Sequence, residues 1–353
     1  MRRWIGAALI LLMIGVLVLR GRDADPRFER QLYTMGTLVT LTLRAPEHDP
    51  EELAGIVSEV ESELNRFQQR WSVHGSGELA TLNEALANAA SATVPQDLLP
   101  LVSKARAIAE DSNGTFDPGL GRLVQVWGFD DAEHFRDSPP PPETLAAAMN
   151  QPHRLTEATL VDDVLTADAP GLRLDLGAIA KGAAVGAALR SLKAAGIDHA
   201  MVNAGGDLQV IGHAKGRPWR IAVRHPRPPA DAPRLLVGLE LRDGEAVFTS
   251  GDYERYFDYQ GRRYHHLLDP RTGEPATGAQ SSTVIHTDPA LADALATALF
   301  VGGVDHFDVL VDQFALEYAM LVDSDGRIHA TPGFMDRAEW LSEVEFAPDT
   351  NTR

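Results

Sequence analysis

The chain has 353 residues, no cysteine and a formal net charge of −18. Without cysteine there is no disulfide, no zinc–thiolate site and no thiol nucleophile, and so acidic a balance lacks the basic face that nucleic acid requires. The length suffices for a sizeable core, in one large domain or two smaller ones.

Met1-Arg2-Arg3 precedes an apolar run from Trp4 to Leu19, then Arg20-Gly-Arg22. A basic start and a hydrophobic segment slightly shorter than a usual span, with no small-x-small cleavage site, predict an uncleaved signal anchor over residues 1–22. A cleaved signal peptide is the alternative. Both lead to export of the chain beyond it; a cytosolic protein with a stray apolar start is the remaining alternative. Arg27 to Leu43 then reads as a strand pair around Met35-Gly-Thr37, with Val39, Leu41 and Leu43 alternating with Thr40 and Thr42. Pro50 to Phe67 is an amphipathic helix with Leu53, Ile56, Val57, Val60 and Leu64 on one side. A polar loop from Arg70 runs into a short helix that holds Asn83. Trp71, at the start of that loop, suits either core packing or stacking on an aromatic ligand.

Leu98 to Ser112 is a further helix, striped by Leu98, Leu101, Val102, Ala105 and Ile108. A Gly/Pro-punctuated loop with Thr115, Phe116 and Asp117 follows, and Pro139 to Pro142, having no backbone donors, is a surface loop. From Arg173 to Gly212 the pattern is strand, Gly-rich turn, helix, strand, Gly-Gly turn, strand. The turn is Asp175-Leu-Gly-Ala-Ile-Ala-Lys-Gly182, and the helix starts near Lys181, with Val185, Ala188, Leu189 and Leu192 on one face. A helix N-terminus with Gly177, Gly182 and Lys181 suits a phosphate or pyrophosphate. The same residues also suit a plain strand-to-helix connection. Pro226 to Pro233 is expected to join two strands on the far side of the core.

In the C-terminal half a hairpin at Gln260-Gly261 leads to Tyr264-His-His-Leu-Leu-Asp-Pro-Arg-Thr-Gly273. Adjacent strand residues face opposite ways, so at most one of His265 and His266 faces a given site. Asp288 and Pro289 suit a helix N-cap and first position. In that helix Asp293 and Thr297 lie roughly opposite Leu291, Leu295 and Leu299, with alanines between. A helix apolar nearly all round is buried, so Asp293 must be paired or bind a cation. Carboxylate and hydroxyl oxygens suit a hard ion such as Mg²⁺; amides of a neighbouring loop are the other solution.

Five blocks occur in order: Met35-Gly-Thr37; Thr115-Phe-Asp-Pro118 with Trp127-Gly-Phe129; Asp175 to Gly182; Ser250-Gly-Asp-Tyr253 with His266-Leu-Leu-Asp-Pro270; and Ala292-Asp-Ala-Leu-Ala-Thr297. In these the chain resembles the ApbE family, the FAD:protein FMN transferases, over about residues 28 to 335. The resemblance implies an α+β fold, with a mixed, mainly antiparallel sheet core flanked by helices and a flavin cleft between lobes. It implies a transferase domain over residues 23–345 with a tail at 346–353. It also implies an enzyme that moves FMN from its substrate FAD to a Thr or Ser hydroxyl of an acceptor protein, through a phosphoester, with release of AMP. Mg²⁺ would be held by the Ala178 carbonyl, Asp293 and Thr297. FAD contacts would map to Met35, Trp71, Asn83, Thr115, Phe116, Asp117, Asp175 and Lys181, with His266 as the base. The implied setting is the bacterial inner membrane, with the catalytic domain in the periplasm and the acceptor a subunit of a membrane redox complex. Mg²⁺-dependent hydrolysis of FAD to FMN and AMP, and non-catalytic FAD binding, are the alternatives. Three departures stand out. Gly119 takes the place of the Thr that commonly ends the Phe-Asp-Pro-Thr block. The segment from Trp71 to Asn83 is about two residues longer than usual. No cysteine is present for a lipid anchor, a role the apolar N-terminus would take.

Overall fold

The computed structural model describes residues 27–347 except 131–135, 229 and 231–233. The anchor expected at residues 1–22 lies outside the described residues. Strands β1 (Phe28–Thr34) and β2 (Thr37–Leu43) form the expected hairpin. Met35 and Gly36 turn it with φ of 53° and 71°, the left-handed pair that a two-residue hairpin turn requires. Helix α1 (Pro50–Trp71) is capped by Asp49, whose carboxylate accepts the Glu51 and Glu52 N–H groups. After it come α2 (Glu78–Asn88), β3 (Ser91–Thr93), α3 (Leu99–Asp111), α4 (Gly121–Trp127) and α5 (Pro142–Met149). Pro142 thus opens a helix, a position that needs no N–H donor.

Strands β4 (Thr159–Val161) and β5 (Val164–Thr166) join β3 in a small sheet. Helix α6 (Gly177–Ala194) follows, then β6 (Ala200–Ala204), β7 (Asp207–Ile211), β8 (Trp219–Arg224), β9 (Leu235–Leu241) and β10 (Ala246–Gly251). A hairpin of β11 (Tyr256–Tyr259) and β12 (Arg262–His265) precedes β13 (Ala279–His286) and the long helix α7 (Pro289–Gln313). The chain ends with β14 (Tyr318–Asp323), β15 (Arg327–Ala330), α8 (Pro332–Arg337), β16 (Glu339–Trp340) and β17 (Glu345–Phe346).

Nine strands make the main sheet in the order β1-β2-β6-β7-β10-β13-β14-β15-β17, and every pairing is antiparallel except β15 with β17. One face carries α6 and α7, with Phe248, Val284 and Leu321 packed among Leu189, Leu295 and Leu299. The other face, with Leu208, Val210, Val247, Ile285 and Met320, is covered by Trp219, Val237 and Leu239 of the three-stranded sheet β16-β9-β8. Cover on both faces explains why β7 and β14 are buried along their whole length rather than alternately.

The segment before α6 is not a strand; it makes a single bridge, Arg173 to Leu120. The helix also begins at Gly177 rather than near Lys181, so the Gly-rich turn is its first turn. The connection from Pro226 onward joins β8 and β9, in the sheet that covers the face of the main sheet opposite α6 and α7. Helix α7 is, among the described residues, the one helix long and apolar enough to cross a membrane. It is instead mostly buried within the core.

Candidate active site

One cleft of about 1410 Å³ collects residues from the β1–β2 turn, the end of α1, the loop after α3, the start of α6, β8, β10, the β12–β13 connection and α7. It is lined by Met35, Trp71, Thr115, Phe116, Asp117, Asp175, Ala178, Lys181, His266, Asp293 and Thr297. Of the flavin, metal and base positions implied by the family resemblance, only Asn83 lies away from it.

Helix packing sets the centre. A Cβ on Gly182 would sit 2.1 Å from the Pro289 carbonyl oxygen, and one on Gly186 would sit 2.6 Å from the Pro289 ring. Only glycine allows α6 to meet the first turn of α7 so closely. The approach lets the Gly182 N–H donate to Asp293 Oδ2 at 2.9 Å. Asp293 is buried, and burial, opposed by Lys181 and reinforced by Asp207, pushes its carboxyl up to about 7. Thr297, one turn on, shares a hydrogen bond of 3.1 Å with Ser250.

Burial alone would pull the Lys181 ammonium down. Asp207 and Asp293 outweigh it, so Lys181 is held above its ordinary value and stays charged. Its partner is Asp207, which also accepts the Thr249 N–H at 2.9 Å. Asp207 was not singled out in the sequence, although it ends the Gly-Gly turn. Its signal was an acid at the first position of a strand buried along its length.

The second wall is a set of tied loops. Asp117 accepts the Gly119 N–H at 2.8 Å, the Leu155 N–H at 2.7 Å, and the Thr156 hydroxyl at 3.1 Å. Its carboxylate is taken up in fixing the Phe116–Leu120 loop, and burial raises its pKa despite those bonds. A Cβ on Gly119 would lie 2.5 Å from the Leu155 nitrogen, which explains the departure from Thr at this position. The Asp175 N–H donates to the Pro118 carbonyl at 2.8 Å, and Asp175 Oδ1 accepts from Gly177 N–H at 2.7 Å. Asn83 grips both sides of Leu174: its Oδ1 accepts the Leu174 N–H at 2.7 Å and its Nδ2 donates to the Leu174 carbonyl at 2.9 Å. Asn83 therefore positions the Asp175 turn from behind. Thr115 donates to the Ser112 carbonyl at 2.9 Å and is fully buried.

Trp71 is half-buried and stacks on Phe67 with ring centroids 4.4 Å apart and 17° between planes. It packs on the core and also lines the cleft. Gln68 was missed: its Oε1 accepts from the Thr34 hydroxyl at 2.8 Å and from the Met35 N–H at 2.6 Å, which locks the hairpin turn at the cleft. A glutamine on an amphipathic helix carries no signal of such a role.

The two histidines divide as expected. His265 is buried, with Nε2 2.8 Å from the Ala276 carbonyl, and burial lowers its pKa to about 4. His266 lines the cleft with Nδ1 3.3 Å from the Arg255 carbonyl. That carbonyl favours the tautomer with the proton on Nδ1 and a free Nε2. Burial, then the Arg255 charge, holds His266 well below the ordinary histidine value, so it is neutral at physiological pH. Arg255, which donates to the Phe129 carbonyl at 3.1 Å, was also not foreseen.

Asp293 has one hydrogen-bond partner and Thr297 presents a hydroxyl on the same helix face. Such a donor set fits a hard divalent cation that draws its remaining oxygens from backbone, water and a bound phosphate. No three His, Asp or Glu side chains gather around a point among the described residues.

The sequence profile of the ApbE family matches residues 35–321, a span that runs from the hairpin turn at the cleft to β14. A FAD:protein FMN transferase from Rhodobacter capsulatus is 36% identical over 98% of this chain, which spans 64% of that relative's length. One from Treponema pallidum is 32% identical over 96% of each chain. The crystal structure of an ApbE protein from Thermotoga maritima superposes with a TM-score of 0.78 at 31% identity, covering 90% of this chain and all of that one. The flavin transferase ApbE of Vibrio cholerae gives 0.76 at 28%, over 88% and 100%. Profile, relatives and architecture agree with the five ordered blocks that build this cleft: the chain belongs to the ApbE family.

Proposed function

We propose that the chain transfers FMN from FAD to a Thr or Ser hydroxyl of an acceptor protein and releases AMP. The observation that carries this is the meeting of Lys181, Asp293 and Thr297 at the start of α6, in one cleft with a neutral His266. The hydroxyl oxygen attacks the FMN-side phosphorus, its proton passes to the free Nε2 of His266, and the bond from that phosphorus to the bridging oxygen breaks. AMP leaves with that oxygen. Phosphoryl transfer of this kind depends on positioning and charge neutralisation more than on covalent help. The Lys181 ammonium faces the diphosphate and, with the positive end of the α6 dipole, offsets its charge. Trp71, backed by Phe67, and Phe116 offer flat apolar walls for the rings. Mg²⁺, held by Asp293, Thr297 and the Ala178 carbonyl, would neutralise the diphosphate and stabilise the leaving phosphate.

The transferase domain extends over residues 23–345, the N-terminal run anchors it in the inner membrane, and the domain faces the periplasm. A periplasmic domain of a membrane redox complex is the expected acceptor. Incubation with FAD, Mg²⁺ and such a Thr-bearing domain, followed by separation of the nucleotides, tests the reading. Transfer yields AMP without free FMN. AMP with an equal amount of free FMN marks a hydrolase, and intact FAD marks a binder.

A further inference from the structure

Strand β8 is an edge. Among the described residues it pairs only with β9, at the end of the β16-β9-β8 sheet. All five residues 220–224 line the cleft, although successive side chains of a strand point to opposite faces. The strand therefore runs along the cleft rather than touching it with one face. Trp219 and Val223 are buried in the core and hold it in place, while Arg220, Ala222 and Arg224 are exposed. In a chain of net charge −18, Arg220, Arg224 and Arg234 all line this wall.

From these observations, and resting on the transferase reading, we propose that β8 is the docking edge for the acceptor protein. An extended, acidic segment that carries the acceptor hydroxyl pairs its backbone with the free edge of β8. Its carboxylates meet Arg220 and Arg224. Strand addition of this kind takes affinity from the backbone and specificity from alternate side chains. The two arginines now make exposed ion pairs, Arg220 with Glu339 and Arg224 with Glu254 at 3.7 Å, and Arg224 also lies over the Tyr253 ring. Such pairs are weak and exchange readily for a ligand carboxylate. Cationic side chains also guard sheet edges against aggregation. Here the edge lies inside the cleft that holds His266 and Lys181, where a guard has no function.

The test uses the full chain loaded with FAD and a fluorescein-labelled peptide of about twelve residues, long enough to cover the strand. One peptide has Thr flanked by Asp, a second has Thr flanked by Lys, and two more are the Asp peptide N-methylated on alternate amides of one edge or the other. In fluorescence anisotropy the Asp peptide should bind about tenfold tighter than the Lys peptide. N-methylation of one edge should weaken binding about tenfold and of the other edge hardly at all. The double variant Arg220→Glu, Arg224→Glu should reverse the charge preference. Absence of binding, equal binding of the two charge types, or indifference to both N-methylation patterns overturns the proposal. Failure of the transferase reading shows separately, as a protein that binds the Asp peptide yet forms no AMP from FAD with any acceptor.

Discussion

At the scale of single residues, the site rests on burial tuned by a few charges. Asp293 is buried with one N–H and a neighbouring cation as its compensation. Asp293→Asn keeps the shape and removes the charge proposed to bind Mg²⁺; Mg²⁺-dependent turnover should fall by at least about 100-fold while the thermal transition stays sharp. Full turnover in that variant would remove Asp293 from the metal site. For His266, a pKa well below 6.5 means the proposed base is already unprotonated at neutral pH. At saturating Mg²⁺ the transfer rate should therefore stay flat from about pH 8 to 6.5 and fall only well below that. A midpoint at or above 6.5 would contradict the assignment, as would unchanged transfer by His266→Ala. Asp117→Ala frees four backbone and side-chain donors at once and should cost about 2 to 4 kcal/mol of stability, read from denaturant midpoints.

Among elements, the contact of α6 with the start of α7 governs the geometry. Gly182→Ala places a methyl group 2.1 Å from the Pro289 carbonyl oxygen, and neither helix backbone can yield cheaply. The variant should lose about 1 to 3 kcal/mol and much of its turnover, because the helices that carry Lys181 and Asp293 are pushed apart. Much of this layer was legible in the sequence. Alternation predicted the β1–β2 hairpin, helical spacing predicted α1, α3 and α7, and Asp288-Pro289 marked the true start of α7. Helix α6 starts four residues before the position its apolar spacing predicts, because a first turn made of Gly, Ala and Ile with no side-chain cap looks like a loop. The strand before it was overread: Leu172 and Leu174 are buried and extended, but they pair with no ladder.

Across the whole molecule, the site is assembled from segments far apart in sequence, and this limited what spacing could reveal. Asp293 and Thr297 were visible because a polar pair on a buried helix stands out. Gln68, Asp207 and Arg255 gain their roles only when α1, β7 and the β11 approach converge on one cleft. Asn83 and Asp117 came from family likeness, and the fold shows both holding loops in place. A global pH effect follows from His265. Its pKa is lowered to about 4 in the fold, so its contribution is fully present above the unfolded value near 6.5 and is lost as pH falls toward 4. Asp293 works in the opposite direction over much of the same range. The test is therefore differential: the gap in stability between wild type and His265→Gln should shrink by about 3 kcal/mol from pH 7 to pH 4. A constant gap would contradict it.

The most direct test of the account is the intact mass of a Thr-bearing redox domain after incubation with the protein, FAD and Mg²⁺. The expected result is a gain equal to one FMN, matched by free AMP and abolished when the acceptor Thr is replaced by Ala. An unmodified acceptor beside AMP and free FMN would contradict it and make the cleft that of a hydrolase.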